Sequence, residues 1–89
     1  MPDTSMTTYT GRRGNTIAVG DHLRDKRDHN TRTLRVDAIY EIRADIRAAC
    51  TVVGVDGVAI AKTRAADLTA VSLAGPMFLP TTAPAAPNA

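Results

Sequence analysis

Between residues 14 and 79 the apolar positions fall in short runs separated by polar residues. "NTIAV" is a β-favouring run that ends at the turn pair Gly20-Asp21. "TLRVDAIY" alternates. Leu34, Val36 and Ala38 are expected on one side and Arg35 and Asp37 on the other, the period of a half-buried strand. "AACTVVGV" is apolar and β-branched, as a central strand would be. Asp56-Gly57 then stands between two valines. A two-residue type I′ turn needs positive φ at both central positions, which Asp tolerates and Gly prefers. "TVVGV" and "VAIAKT" are therefore expected to pair antiparallel. "RAADL" reads as a one-turn helical connector and "TAVSL" as a closing strand.

A competing pattern covers "DAIYEIRADIRAAC". Ile39, Ile42, Ile46 and Ala49 recur at steps of three, four and three, an amphipathic helical stripe. Against it stand the alternation just before and the lack of a Gly or Pro stop ahead of "TVV". The strand reading is preferred, with "EIRADIR" as a loop or helical turn between two strands.

With 89 residues, one domain is the expectation. Residues 1–10 are rich in Thr and Ser, and 80–89 hold three of the five prolines with no large apolar group. Both ends read as flexible tails. The division expected is an arm over 1–13, a domain over 14–79 and a Pro/Ala tail over 80–89. The fold class expected is mainly β: a small, partly open barrel of five strands with a short helical turn.

That layout resembles small SH3-like barrels. "VGDHLRD" followed by "RTLRVDAI" resembles the KOW arrangement, in which a Gly-Asp turn leads through a polar loop into a strand. KOW segments carry glycines in that loop, and this chain has none between Asp21 and Leu34. The chain also resembles a group of uncharacterised small actinobacterial and phage-borne proteins. The positions carrying this are Gly20, Asp21, Asp25, Arg27, Arg32, Leu34, Val36, Thr63 and Arg64. SH3-like folds serve many functions, so the resemblance implies a fold and leaves the activity to particular residues.

Net charge is +2. Nine of the 11 Lys and Arg residues lie between Arg12 and Arg47, together with six acids. The densest stretch is "RDKRDHNTRTLRV". Its Arg24, Lys26, Arg27, Arg32 and Arg35 are the candidate phosphate contacts of a nucleic-acid surface. Interleaved Asp25, Asp28 and Asp37 oppose that reading, as does the small number of aromatics, Tyr9, Tyr40 and Phe78, since single-strand binders stack bases on such rings. His22, Asp25, Asp28 and His29 show no metal-ligand spacing. No nucleophile elbow, P-loop or dinucleotide fingerprint occurs. No enzyme, metal or cofactor is expected. The single cysteine, Cys50, reads as a small buried hydrophobe. Neither a signal-peptide pattern nor a membrane span is visible, so a cytoplasmic location is expected.

"AVSLAGPMFLP" is unusually apolar for its place next to a Pro/Ala tail. Leu73, Met77, Phe78 and Leu79 either close the end of their own barrel or form an interface with a protein partner or a second copy. The function expected is a non-enzymatic binding module acting through protein contacts. The alternative is a small DNA- or RNA-binding regulator using the loop from Arg24 to Arg35.

Overall fold

The computed structural model describes residues 4–86. The protein is mainly β, built from antiparallel sheets that do not close into a barrel. Its frame is a meander of β4 (His22–Asp25), β5 (Arg32–Ile42), β6 (Asp45–Val55) and β7 (Val58–Thr69). One helical turn, α1 (Ala70–Leu73), follows, and β8 (Phe78–Thr81) returns to lie beside β4. The sheet order is therefore β7-β6-β5-β4-β8. Three short strands among the described residues precede the meander: β1 (Thr4–Met6) pairs with the far half of β5, and β2 (Thr8–Thr10) forms a separate ribbon with β3 (Thr16–Ala18).

The alternation expected along "TLRVDAIY" holds from Leu34 to Asp37 and then reverses. Leu34 and Val36 are buried and Arg35 is exposed, but Ala38 is exposed and Ile39 is buried. The cause is a β-bulge. Val36 pairs with Cys50 and Ala38 with Ala49, so Asp37 is an extra residue on β5. Such an insertion shifts every later side chain to the other face. The bulge lies where β5 changes neighbours. Up to Val36 its outer side is met by the β4 end, through Val36 N–H to Asp21 O and Gly20 N–H to Val36 O. From Ile39 onward it is met by β1.

No helix forms over 38–50. The chain makes a hairpin whose two-residue turn is Arg43-Ala44, with φ of 53° and 63°. The helical spacing of the isoleucines is overridden by cross-strand contacts, Ile39 with Ala48 and Glu41 with Ile46. The Asp56-Gly57 hairpin is present as expected, with φ of 52° and 81° and Val55 facing Val58.

Two assignments near the end of the domain are corrected. "RAADL" belongs to β7, because Ala66 faces Cys50 and Leu68 faces Ala48 across the ladder, and both pack on the core. The helical turn comes afterwards, in "AVSL", where i, i+3 spacing buries Ala70 and Leu73 together. The closing strand is β8. "HLRD", expected as loop, is β4, and its Leu23 at 3 % exposure is part of the core.

The ends are also more ordered than their composition suggests. The described residues of the expected N-terminal arm form β1, β2 and the turn after it; residues 1–3 lie outside the described residues. Polar Thr-rich strands hold here because the ladder is made by backbone groups, with Ile17 and Tyr9 supplying apolar contact to the core. The ribbon is fixed to α1's end by Asn15 Nδ2–H donating to Ala74 O at 3.1 Å. The core runs through Ile17, Leu23, Leu34, Val36, Ile39, Ala48, Cys50, Val52 and Leu73.

Candidate functional site

Beyond β8 the C-terminal segment turns back across the sheet. Leu79, Arg24, Thr33 and Gly54 are successive neighbours across β8, β4, β5 and β6. They lie on the face opposite Leu34. Pro84 rests on this face at Gly54, where a Cβ would stand 2.7 Å from Pro84 Cβ. Any side chain at position 54 would occupy the place of the proline ring. The next residue is held by backbone bonds: Ala85 N–H donates to Gly57 O at 2.9 Å, and Ala59 N–H donates to Ala85 O at 2.8 Å. Ala85 thus adds to the outer edge of β7 as a parallel bridge at Val58. Residues 80–86, expected as part of a flexible tail, are thus β8 and a seated extended segment; residues 87–89 lie outside the described residues.

Between this segment and the β4–β5 loop lies a cleft of about 550 Å³, whose walls include Arg24, Arg27, His29, Thr33, Thr82 and Pro84. Asp28 and Asp56 line it as well, and Asp56 Oδ1 accepts a hydrogen bond from Thr31 N–H at 2.8 Å.

The five basic candidates divide into two groups. Asp25 is buried at 5 % exposure and takes hydrogen bonds from Arg32 N–H and Arg32 Nε, each at 3.0 Å. Arg27 Nε lies 3.5 Å from the same carboxylate. Arg35 Nε donates to Asp37 at 2.7 Å. Arg27, Arg32 and Arg35 are therefore committed to acids of their own chain. Arg24 and Lys26 are exposed, and their side chains enter no ion pair among the described residues.

Asp37 is a strut within the sheet face. Burial pushes its carboxyl up, but hydrogen bonds from Thr51 and Arg35 and the Arg35 charge outweigh it and hold the carboxyl below its ordinary value of 3.8. A second strut joins three strands at the far end of the sheet. Tyr40 Oη–H donates to Asp67 at 2.7 Å and Arg47 Nε to the same residue at 3.0 Å.

The apolar candidates also separate. Leu73 is buried in its own core at 1 % exposure, Phe78 is half-buried and packs on that core, and Leu79 is half-buried. These three line a groove of about 390 Å³ between β8 and the ribbon. Met77 stands apart at 62 % exposure.

Cys50 is buried as expected, and burial, with the charges of Asp37 and Asp67, pushes its thiol up to about 11. Among the described residues no three His, Cys, Asp or Glu side chains gather as a metal site, and no helix is long and apolar enough to cross a membrane.

Gly54, Ala59 and Pro84 were not among the residues singled out from sequence, and Gly57 was singled out only for its turn. A signal existed at Gly54: a glycine inside the valine-rich run "VVGV" marks close approach by another backbone or ring. Compared with protein-family models, curated proteins and solved structures, the chain matches none.

Proposed function

We propose that the chain is a non-enzymatic binding module of SH3-like topology that holds a protein partner along the outer edge of β7. The order β7-β6-β5-β4-β8, with one helical turn ahead of the last strand, is the order of small SH3-like barrels and supports that finer assignment. The observation that carries the function is the uptake of Ala85 by the β7 edge at Val58 and Ala59. An edge that already accepts an extended segment through backbone bonds has the geometry for strand addition. β7 is the terminal strand of its sheet.

The test is affinity capture by the tagged chain, with and without nuclease. Thr63→Pro serves as the edge-blocking variant, since Thr63 lies in the stretch between Ala59 and Arg64 that has no partner in β6. A protein retained after nuclease by the parent and lost by Thr63→Pro supports the reading. Retention by both chains overturns it.

A nucleic-acid function is the second reading, favoured only by Arg24 and Lys26, which enter no ion pair among the described residues. Replacing both by Ala should lower the slope of log affinity against log salt by about 1.8 for duplex DNA, at about 0.9 per phosphate contact. An unchanged slope rules those contacts out.

A further inference from the structure

The seat on β6 and β7 is occupied by the chain's own C-terminal segment, and its parts define what else would fit. It has three components. The bare Cα of Gly54 leaves room for a proline ring. Gly57 O and Ala59 N–H accept and donate to the residue that follows the proline. The cleft beside it is lined both by Arg24, whose side chain enters no ion pair among the described residues, and by Thr82, two residues ahead of the proline. The first component selects the ring, the second selects an extended backbone, and the third is unused by the chain's own Thr82.

We propose that this seat is a recognition site for an extended protein segment of the form acidic-x-Pro-small, supplied by a partner, and that residues 82–85 are a built-in competitor for it. The proposal rests on the binding-module reading and names the partner's chemistry. A second copy of this chain offers the same Thr-Ala-Pro-Ala contacts as the tethered segment without the benefit of tethering. A short tether holds its ligand at an effective concentration in the millimolar range. To displace it, a partner must add a contact that the tethered segment lacks. An Asp or Glu at the position of Thr82 does so, by pairing with Arg24.

The experiment uses the full chain and synthetic peptides followed by amide NMR. Pro84→Asp combined with Ala85→Pro removes the ring from the seat and the N–H that bonds Gly57 O. Retention of the Leu34, Ile39 and Ala48 signals checks the fold. The peptide PTTAPAA should then bind in trans and shift Gly54, Gly57, Val58 and Ala59, at least about tenfold more tightly than it binds the parent. The peptide PTEAPAA should bind about threefold tighter still, an exposed ion pair's worth, and that gain should vanish in an added Arg24→Ala. A peptide with Asp in place of the seated Pro should not bind.

No shift at the seat with either Pro-containing peptide overturns the proposal, and so does equal binding of the Asp-substituted peptide. Concentration-dependent dimerisation of the parent that is absent in the double variant would make the occupant a second copy and overturn it too. If the double variant loses its core signals, the parent is titrated with PTEAPAA in millimolar excess. Shifts at Val58 and Ala59 then support the proposal, and their absence overturns it. Failure here leaves the edge reading to the Thr63→Pro capture experiment. A partner lost by Thr63→Pro while no peptide binds overturns only the peptide chemistry, and peptide binding while a partner is retained by both chains overturns only the extension of the edge site from Ala59 to Thr63.

Discussion

Replacing Ala44 by Gly should stabilise the protein, whereas replacing Gly57 by Ala should destabilise it. Both residues occupy the second position of a two-residue hairpin turn, with φ of 63° at Ala44 and 81° at Gly57. An L-residue in the left-handed region costs about 1–2 kcal/mol through contact of Cβ with the backbone. Glycine avoids that cost but loses about 0.4–1 kcal/mol because its unfolded chain has more freedom. The difference leaves about 0.5–1 kcal/mol in favour of glycine at either turn. A domain of this size shifts its Tm by about 4–8 °C per kcal/mol, so Ala44→Gly should raise Tm by about 2–8 °C and Gly57→Ala should lower it by a similar amount. Packing does not confound the comparison. Ala44 is exposed, and a Cβ on Gly57 would meet nothing within 4 Å. Gly57→Val should lower Tm further, because its branched Cβ tolerates positive φ least. The assay is reversible thermal unfolding followed by circular dichroism on the parent and the three variants. A lower Tm for Ala44→Gly would refute the left-handed turn at 43–44, and a Tm held or raised by Gly57→Val would refute the register of β6 and β7.

Asp25→Ala should cost about 1–3 kcal/mol in urea unfolding, because it leaves Arg32 N–H without its acceptor in a part-buried place and frees two guanidiniums; a smaller loss would mean the carboxylate is not the clasp of the β4–β5 loop. Cys50, with its thiol pushed up to about 11, should be alkylated by iodoacetamide at pH 8 far more slowly in the folded chain than in urea; equal rates would place it outside the core. Asp37 should titrate below 3.8 by NMR, and Thr51→Val should move it upward. Since its folded value is depressed, its contribution to stability is complete above the unfolded value and fades as pH falls through the folded one; an Asp37 titration unmoved by Thr51→Val would contradict the bulge geometry. In sedimentation, Phe78→Ser with Leu79→Ser should unfold the chain, as expected of residues packed beside its own core; a folded monomer from an associating parent would instead make them an interface.

The parts of the fold legible in the sequence were those encoded by neighbouring residues. Asp56-Gly57 carries its turn in two side chains, and "AACTVVGV" carries its central position in its β-branched content. What the sequence did not reveal depends on which strand lies alongside. Nothing within "TLRVDAIY" marks Asp37 as the bulge, because the insertion is set by β5 leaving β4 and taking up β1 at a register that skips one residue. The helical stripe in 38–50 and the connector assigned to "RAADL" misled for a related reason. Short Ala-rich stretches fit either period, and the ladder with β6 selects the extended form. The Thr-rich start and "HLRD" looked like loop because polar strands show no apolar alternation, yet their backbone groups pair as well as any others.

The site shows the same division more sharply. The density of Arg and Lys in 24–35 is a property of the sequence, but availability is a property of the pairing, and Asp25 and Asp37 remove three of the five candidates. Of the two that remain, Arg24 and Lys26, Arg24 stands in the cleft beside the segment seated on Gly54. The two features are 30 residues apart in the chain, and each is unremarkable alone: an exposed arginine and a glycine in a strand. Brought together across β4, β5 and β6, they set a notch for a ring, and an arginine with no ion pair among the described residues, beside the β7 edge that holds Ala85. A flexible tail that touched nothing would explain the composition of 80–89 but not the absence of a side chain at 54 or the two hydrogen bonds at Ala85. Those observations make the C-terminal segment a ligand of its own domain, and its two backbone bonds and one ring contact are the contacts that the proposed partner segment would take over.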